Sequence, residues 1–168
     1  MRIGIGYDIH VLARERKLIL GGVNIPFEMG LSGHSDADVL THSLSDALLG
    51  AAGMDDIGHF FPDTDVQYKN ISSLILLERI YFMLKKDNFR IINLDTVVVV
   101  DKPKLSPYVP QMKENLAKIL EISPRQIGIK ATTWEGFSPA KGQKGICCWA
   151  IANIEKISLE QSNESENI

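Results

Sequence analysis

The stretch Met1-Arg2-Ile3-Gly4-Ile5-Gly6-Tyr7-Asp8-Ile9-His10 decides how the chain is read. Ile3, Ile5, Tyr7 and Ile9 fall on alternate positions, with Gly4, Gly6, Asp8 and His10 between them. A period of two is the signature of a β-strand, whose successive side chains point to opposite faces. The strand is expected to bury its isoleucine and tyrosine face, which leaves Asp8 and His10 together on the other. Downstream, Leu18 to Phe27 reads as a hairpin turning at Gly21-Gly22, followed by a loop over 28–34. Ser35, with Asp38 three residues on, resembles a capping box at the start of a helix that Gly53 closes. Ala37, Leu40, Leu44, Leu48 and Ala51 form the apolar stripe of that helix, while Asp38, His42 and Asp46 recur at i, i+4 and i+8 on another face.

Residues 54–69 carry Gly, Pro and Asp and read as a loop long enough to be functional rather than a plain connection. A second helix is predicted over 71–87, with Leu74, Leu77, Ile80 and Leu84 inward, then a strand over 92–100 and a basic turn at 102–107. A third helix follows over 108–121, with Val109, Met112, Leu116 and Leu120 inward, and then strands over 126–134 and 145–157. This order predicts an α+β fold. One domain over residues 1–157 would combine a mixed β-sheet, helices on one of its faces and a small N-terminal hairpin. The polar tail 158–168 is expected to be disordered.

A chain of 168 residues suits a single domain, which usually runs roughly 100–200 residues. It has no apolar run near the ~18 residues a membrane helix needs, so no membrane partner is expected. The first ten residues lack the basic region and apolar core of a secretory signal. Cys147 and Cys148 are adjacent and would point to opposite faces of a strand, which excludes a disulfide scaffold. Both features lead us to expect a reducing, cytoplasmic setting. The formal net charge of −3 is carried by Glu160, Glu164 and Glu166 in the tail, so the balanced body gives no reason to expect a nucleic-acid partner.

The distribution of charge says more. Residues 18–68 contain no Lys or Arg, yet hold Glu28, Asp36, Asp38, Asp46, Asp55, Asp56, Asp63 and Asp65 with His34, His42 and His59. Such a segment repels itself unless a cation sits in it. From Lys102 to Lys144 the balance reverses, with Lys104, Lys113, Lys118, Arg125, Lys130 and Lys141 between them. One pole looks built for a metal ion and the other for an anion.

Asp8 and His10 share a strand face, and His42 projects from a helix. Three N/O ligands with a fourth position open make a catalytic zinc arrangement, although most histidines are ordinary surface or core residues. Asp38 or Asp46 could orient a ligating imidazole, and Asp38 could equally be only a helix cap. Ser35, beside His34, stands before a helix N-terminus, where free N–H groups favour phosphate oxygens; it could also be a plain N-cap. Ala131-Thr132-Thr133-Trp134-Glu135 offers two hydroxyls and a carboxylate that could hold Mg2+ between phosphates, or is merely a Thr-rich strand end with a solvated Glu. Gly4-Ile5-Gly6 lacks the third glycine of a dinucleotide fingerprint.

In order, GYDIH at 6–10, GHSDADVLTH at 33–42, SDALLGAAG at 45–53, DDIGHFFPDTD at 55–65, PKLSP at 103–107 and KATTWE at 130–135 carry a resemblance. Together they resemble the 2-C-methyl-D-erythritol 2,4-cyclodiphosphate synthases of the non-mevalonate isoprenoid pathway, over nearly all of residues 1–155. The resemblance implies a homotrimer with active sites between subunits. It implies closure of 4-diphosphocytidyl-2-C-methyl-D-erythritol 2-phosphate to the 2,4-cyclodiphosphate with release of CMP. It also implies Zn2+ on Asp8, His10 and His42, and a second divalent cation, Mg2+ or Mn2+, on Glu135. His34 and Thr133 match transition-state stabilisers, and Asp8, Ile9, His10, His34 and Ser35 match substrate contacts. Asp56, Ile57 and Gly58, with Phe61, Pro62, Asp63, Thr64 and Asp65, match the segment around the methylerythritol phosphate. Val100, Asp101, Lys102, Pro103, Lys104, Leu105 and Ser106 match the cytidine diphosphate side, as do Ala131, Thr132, Thr133, Trp134 and Glu135. Such a reaction needs no protein nucleophile, because the attacking 2-phosphate oxygen is already an anion that has only to be aligned and neutralised.

Trp134, Pro139 and Gly142 stand where relatives usually carry Thr, Phe and Arg. In relatives such positions line a cavity on the trimer axis, so weak binding of isoprenoid diphosphates there is expected, Lys141 and Lys144 supplying only point charges. Two other readings remain, a zinc hydrolase of phosphate esters and a non-catalytic trimeric metal-binding module. A nucleobase deaminase is disfavoured because His-x-Glu with Pro-Cys-x-x-Cys is missing.

Overall fold

The opening alternation forms a strand, β1 (Arg2–Ala13), with the opposite face inward from the one expected. Ile3 and Ile5 are 70% and 68% exposed, whereas Gly4 and Gly6 are buried. The cause is steric. A Cβ added at Gly4 would fall on the Ala47 carbonyl oxygen, and one at Gly6 on the Ser43 carbonyl oxygen, both in the helix α1 (Val39–Ala52). Without side chains on that face, helix and strand backbones approach each other directly.

These coordinates come from a computed structural model that describes residues 1–136 and 144–157. Pro139, Lys141, Gly142 and the tail 158–168 lie outside the described residues. Five strands form a mixed sheet in the order β4 (Gly30–Leu31), β1, β7 (Gly145–Lys156), β5 (Phe89–Val99), β6 (Ile127–Thr132). Only β5 and β6 run parallel, the chain crossing between them through α4 (Val109–Leu120). The strands β2 (Leu18–Leu20) and β3 (Val23–Ile25) make the expected separate hairpin, turning at Gly21 and Gly22, both at positive φ. The stretch 54–69, expected as a functional loop, holds a one-turn helix, α2 (Ile57–Phe60), and a 3-10 turn over Val66–Tyr68.

The helical stripes are where the sequence periodicity puts them. Leu40, Leu44 and Leu48 of α1, Leu77, Ile80 and Leu84 of α3 (Ser73–Lys86), and Met112, Leu116 and Leu120 of α4 are all fully buried. They pack with Val98, Ile146 and Ala150 of the sheet, each large side chain contributing about 1.5–3 kcal/mol by leaving water. The bare face of the sheet carries Ile3, Ile5 and Tyr7 beside Trp149 and Ile151, with the Tyr7 and Trp149 rings 4.8 Å apart.

The start of α1 differs from the expected capping box. Its N-cap is Asp38, whose carboxylate accepts the Thr41 N–H at 3.0 Å, the Thr41 hydroxyl at 2.7 Å and the Gly22 N–H at 2.8 Å. Asp38 therefore ties the hairpin turn to the helix; complete burial, with Asp36 nearby, raises its carboxyl pKa in spite of those donors. Gly53 closes the helix in the left-handed region, at φ 78°. No helix among the described residues is long and apolar enough to cross a membrane.

Gly6→Ala is expected to destabilise the protein at the upper end of the roughly 1–3 kcal/mol range for overpacking, because the obstacle is backbone. Gly50→Ala on the same helix, where an added Cβ has its nearest neighbour at 3.9 Å, is expected to gain about 0.5–1 kcal/mol. Urea unfolding midpoints of the two variants check both signs.

Candidate metal centre and substrate cleft

Because Asp8 and His10 share the parity of Gly4 and Gly6 on β1, they point toward α1, where His42 lies next to the Ser43 carbonyl that Gly6 accommodates. The Asp8 Oδ2 is 3.1 Å from His10 Nε2 and 3.0 Å from His42 Nδ1. One ligand atom from each residue lies within 4.8 Å of the other two. Burial by itself would raise the Asp8 carboxyl. Hydrogen bonds and charge from His10 and His42 outweigh it and hold Asp8 well below the usual carboxylate range. Burial would likewise lower the His42 imidazole, but the Asp8 hydrogen bond and charge, helped by Asp38 and Asp36, push it upward. Two imidazole nitrogens and a carboxylate oxygen aimed at one point fit a divalent ion with an open position.

The carboxylates expected to orient an imidazole do other work. Asp38 is the helix cap, and Asp46 accepts the Ile57 N–H at 2.8 Å, which fixes α2 to α1. Burial raises the Asp46 carboxyl, partly offset by that N–H. The groups on His42 Nε2 are instead Ser73 Oγ at 2.8 Å and Ser35 Oγ at 3.2 Å.

A cleft of about 620 Å³ opens beside the three ligands, with His34 and Ser35 on its wall. Ile57, Gly58, Phe61, Pro62, Asp63 and Thr64 line it as well. Gly33, Tyr68 and Leu76 complete the lining; Gly33 opens the 33–42 motif and Tyr68 belongs to the 54–69 stretch, whereas nothing in the sequence singled out Leu76. His34 donates its Nε2–H to the Asp65 carbonyl at 3.2 Å, and the Asp65 side chain caps the 3-10 turn through the Gln67 N–H at 3.0 Å. The expected contact Asp65 is not among the residues lining this cleft, and two others turn away from it. Asp56 caps α2 by accepting the His59 N–H at 3.0 Å and borders a separate recess with Tyr7 and Asp46. Ile9 lies on the bare side of the sheet, and its N–H donates to Asp8 Oδ1 at 2.8 Å.

The remaining expected residues gather elsewhere. The parallel β5–β6 pair brings Val100–Ser106 and Ala131–Glu135 to one end of the sheet, where the Val100 N–H donates to the Thr132 carbonyl at 2.9 Å. Asp101 accepts the Trp134 N–H at 3.0 Å, the Trp134 indole N–H reaches the Gly145 carbonyl at 3.2 Å, and the Thr133 hydroxyl bonds Glu135. Lys102, Lys104 and Ser106 are exposed, Pro103 is half-buried and Leu105 is buried. Lys130 pairs with Asp95 and is not part of a free basic patch. The strand order puts β6 three places from β1, roughly 14 Å at ~4.8 Å per strand, so these residues and the cleft share a sheet end without meeting in one chain.

A family model, the YgbB family, matches residues 1–155. The chain belongs to the YgbB family. Among similar proteins, the 2-C-methyl-D-erythritol 2,4-cyclodiphosphate synthase of a Nostoc species is 52% identical over 151 residues, covering 90% of this chain and 92% of the relative. The bifunctional IspDF of Campylobacter jejuni superposes with a TM-score of 0.89 at 39% identity over 95% of this chain, which spans 43% of that longer protein. The Plasmodium falciparum IspF in complex with CDP matches with a TM-score of 0.79 at 36% identity, covering 94% of this chain and 97% of that one. The YgbB match spans residues 1–155 rather than one motif.

Without metal, the Asp8–His42 pair stabilises the fold only where both groups are charged. Depressed Asp8 contributes above its ordinary 3.8 and loses that contribution as pH falls further; raised His42 contributes below its ordinary 6.5 and loses it as pH rises through its higher value. Chelator-treated protein is therefore expected to gain most from the pair between about pH 4 and 6.5, while metal affinity falls over the same acid range as His42 takes up a proton. Thermal unfolding and metal titration across pH check the two opposite trends. His42→Ala is expected to remove the bound metal and leave a folded protein, read by metal analysis and circular dichroism, because the buried Leu40, Leu44 and Leu48 stripe is untouched.

Proposed function

We propose that the chain converts 4-diphosphocytidyl-2-C-methyl-D-erythritol 2-phosphate to 2-C-methyl-D-erythritol 2,4-cyclodiphosphate with release of CMP. The carrying observation is the convergence of Asp8, His10 and His42 at the edge of a cleft, in a chain about half identical to synthases of that name. In this reaction an oxygen of the 2-phosphate forms a bond to the β-phosphorus, the bond from that phosphorus to the bridging oxygen breaks, and CMP leaves with that oxygen. The nucleophile is already ionised, so no side chain has to take its proton. Zn2+ on Asp8, His10 and His42, with Mg2+ or Mn2+ at Glu135, would supply Lewis-acid neutralisation of the phosphate oxygens.

The chain's own groups align and shield. His34, pinned through Nε2 to the Asp65 carbonyl, faces the cleft with Ser35 as a second polar group for phosphate oxygens. Ile57, Phe61 and Pro62 offer an apolar wall to the methylerythritol carbons and exclude water from the reacting oxygens. Thr133 is assigned to the leaving-group side with Trp134, Lys102 and Lys104.

A homotrimer is part of this reading, with the 100–106 and 131–135 segments of one subunit completing the cleft of its neighbour. Its support is the bare apolar face of Ile3, Ile5, Tyr7, Trp149 and Ile151, together with the separation of the two half-sites within a chain. The catalytic domain is taken as residues 1–157. The buried free thiols of Cys147 and Cys148, raised by burial to about 11 and about 12, suit a cytoplasmic location, and the reading calls for no nucleic-acid or membrane partner.

Incubation with the cytidylyl substrate is expected to yield CMP and the cyclic diphosphate, and to yield neither after chelation; an opened monophosphate in their place would overturn the cyclase reading. Asp8→Ala and Thr133→Ala chains, each expected to lose about 100-fold or more in kcat, should regain part of the activity when dissociated and reassembled together. Reassembled mixtures as inactive as either parent would sink the shared site.

A further inference from the structure

The two hydroxyls on the far nitrogen of His42 are not equivalent. Ser73, the first residue of α3, is fully buried and puts its Oγ 2.8 Å from His42 Nε2, against 3.2 Å for Ser35 Oγ. Ser73 Oγ also bonds the Asp36 carboxylate. An ionised carboxylate only accepts, so the Ser73 hydrogen is committed to Asp36 and what Ser73 presents to His42 is a lone pair. The hydrogen in that contact therefore belongs to Nε2. Asp36 is itself anchored, its carboxylate accepting the Ser73 N–H at 3.0 Å and the Asp38 N–H at 3.3 Å. The backbone around it is pinned as well, Asp36 N–H donating to the Ile71 carbonyl at 3.1 Å and Asn70 N–H to the His34 carbonyl at 2.8 Å. Ser35 differs in that its Oγ accepts the Ala37 N–H at 3.1 Å and keeps its own hydrogen available.

We infer that Asp36 and Ser73 form a relay that holds His42 as the Nε2–H tautomer and directs its Nδ1 lone pair to the point shared with Asp8 and His10. The inference rests on the reading of Asp8, His10 and His42 as metal ligands and adds two positioning residues to it. The carboxylate acts through the serine hydroxyl, polarising the imidazole N–H and making Nδ1 the better donor. The relay spans three elements, the turn before α1, α1 itself and the first turn of α3, so the packing of α3 is coupled to the aim of the ligand. It also separates the roles of two neighbouring serines: Ser73 sets the tautomer, and Ser35 is left to donate outward into the cleft.

The test uses the full chain with zinc, labelled with 15N at histidine. In the wild type, two-bond correlation spectra are expected to show His42 with Nδ1 bound to metal and a slowly exchanging hydrogen on Nε2. Ser73→Ala is expected to weaken zinc binding about 10–100-fold in competition with a chromophoric chelator and to speed exchange of that hydrogen, with thermal unfolding of the metal-free protein reporting the fold. A folded Ser73→Ala protein whose zinc affinity stays within about twofold of wild type would overturn the relay and leave the metal centre standing. So would a wild-type spectrum with Nε2 as the metal-bound nitrogen. A wild-type chain that takes up no zinc at these residues overturns the relay together with the centre. Should Ser73→Ala fail to fold, the wild-type spectrum alone decides.

Discussion

A helix laid on a strand is usually held off by the side chains between them. At Gly4 and Gly6 there are none, and the carbonyls of Ala47 and Ser43 occupy the space that a Cβ would need. Two consequences follow from this one contact. His42, adjacent to Ser43, is carried close enough to β1 for its imidazole to reach Asp8, a residue with the same strand parity as the glycines. The other face of β1, with its four large apolar side chains, is covered by no helix among the described residues. The approach that assembles the ligands therefore also leaves an apolar sheet face bare.

The acid-rich segment without Lys or Arg is stabilised mainly by backbone donors. Asp38 takes N–H groups from Gly22 and Thr41, Asp46 from Ile57, Asp56 from His59, Asp65 from Gln67, and Asp36 from Ser73 and Asp38. A carboxylate at a helix start or turn satisfies donors that would otherwise be orphaned and meets the positive end of a helix dipole where a helix follows. Most of these carboxylates are thus engaged by the backbone of helix starts and turns. Asp8 is different, since its partners are imidazoles. Among the described residues, Asp8, His10 and His42 are the group of acidic and imidazole side chains placed to share a metal ion.

Much of this was legible in the sequence. The period of two in β1, the helical stripes and the Gly21-Gly22 turn gave the elements, because each depends on local geometry. The pairing of Asp8 with His10 on one face followed from the same period. The choice of which face to bury did not, since it turns on the fit of α1 against glycine and on what later covers Ile3 and Ile5. Asp38 and Asp46 looked like partners of His42 from their spacing along α1, yet residues four apart stack on the helix surface while the ring of His42 reaches across to α3. Ser73 could not be found that way. It is a plain serine at a helix start, and only the packing of α3 brings it to the imidazole.

The chemistry sets a further condition on the cleft. Joining two phosphate groups requires positive charge close to both, and the described residues lining the cleft include no Lys or Arg. Its imidazoles are already engaged: His10 and His42 with Asp8, and His34 as a donor to the Asp65 carbonyl. The lysines assigned to the leaving-group side, Lys102 and Lys104, stand on the loop after β5, two strands beyond β1 in the sheet. Among the described residues of one chain, the three metal ligands and those lysines therefore stand on separate parts of the sheet. In the proposed trimer, the loop of a second subunit would bring these lysines over the cleft. In such a trimer, association would complete the site chemically as well as cover the bare face of β1, so the glycine contact that leaves that face open would also tie the reaction to assembly.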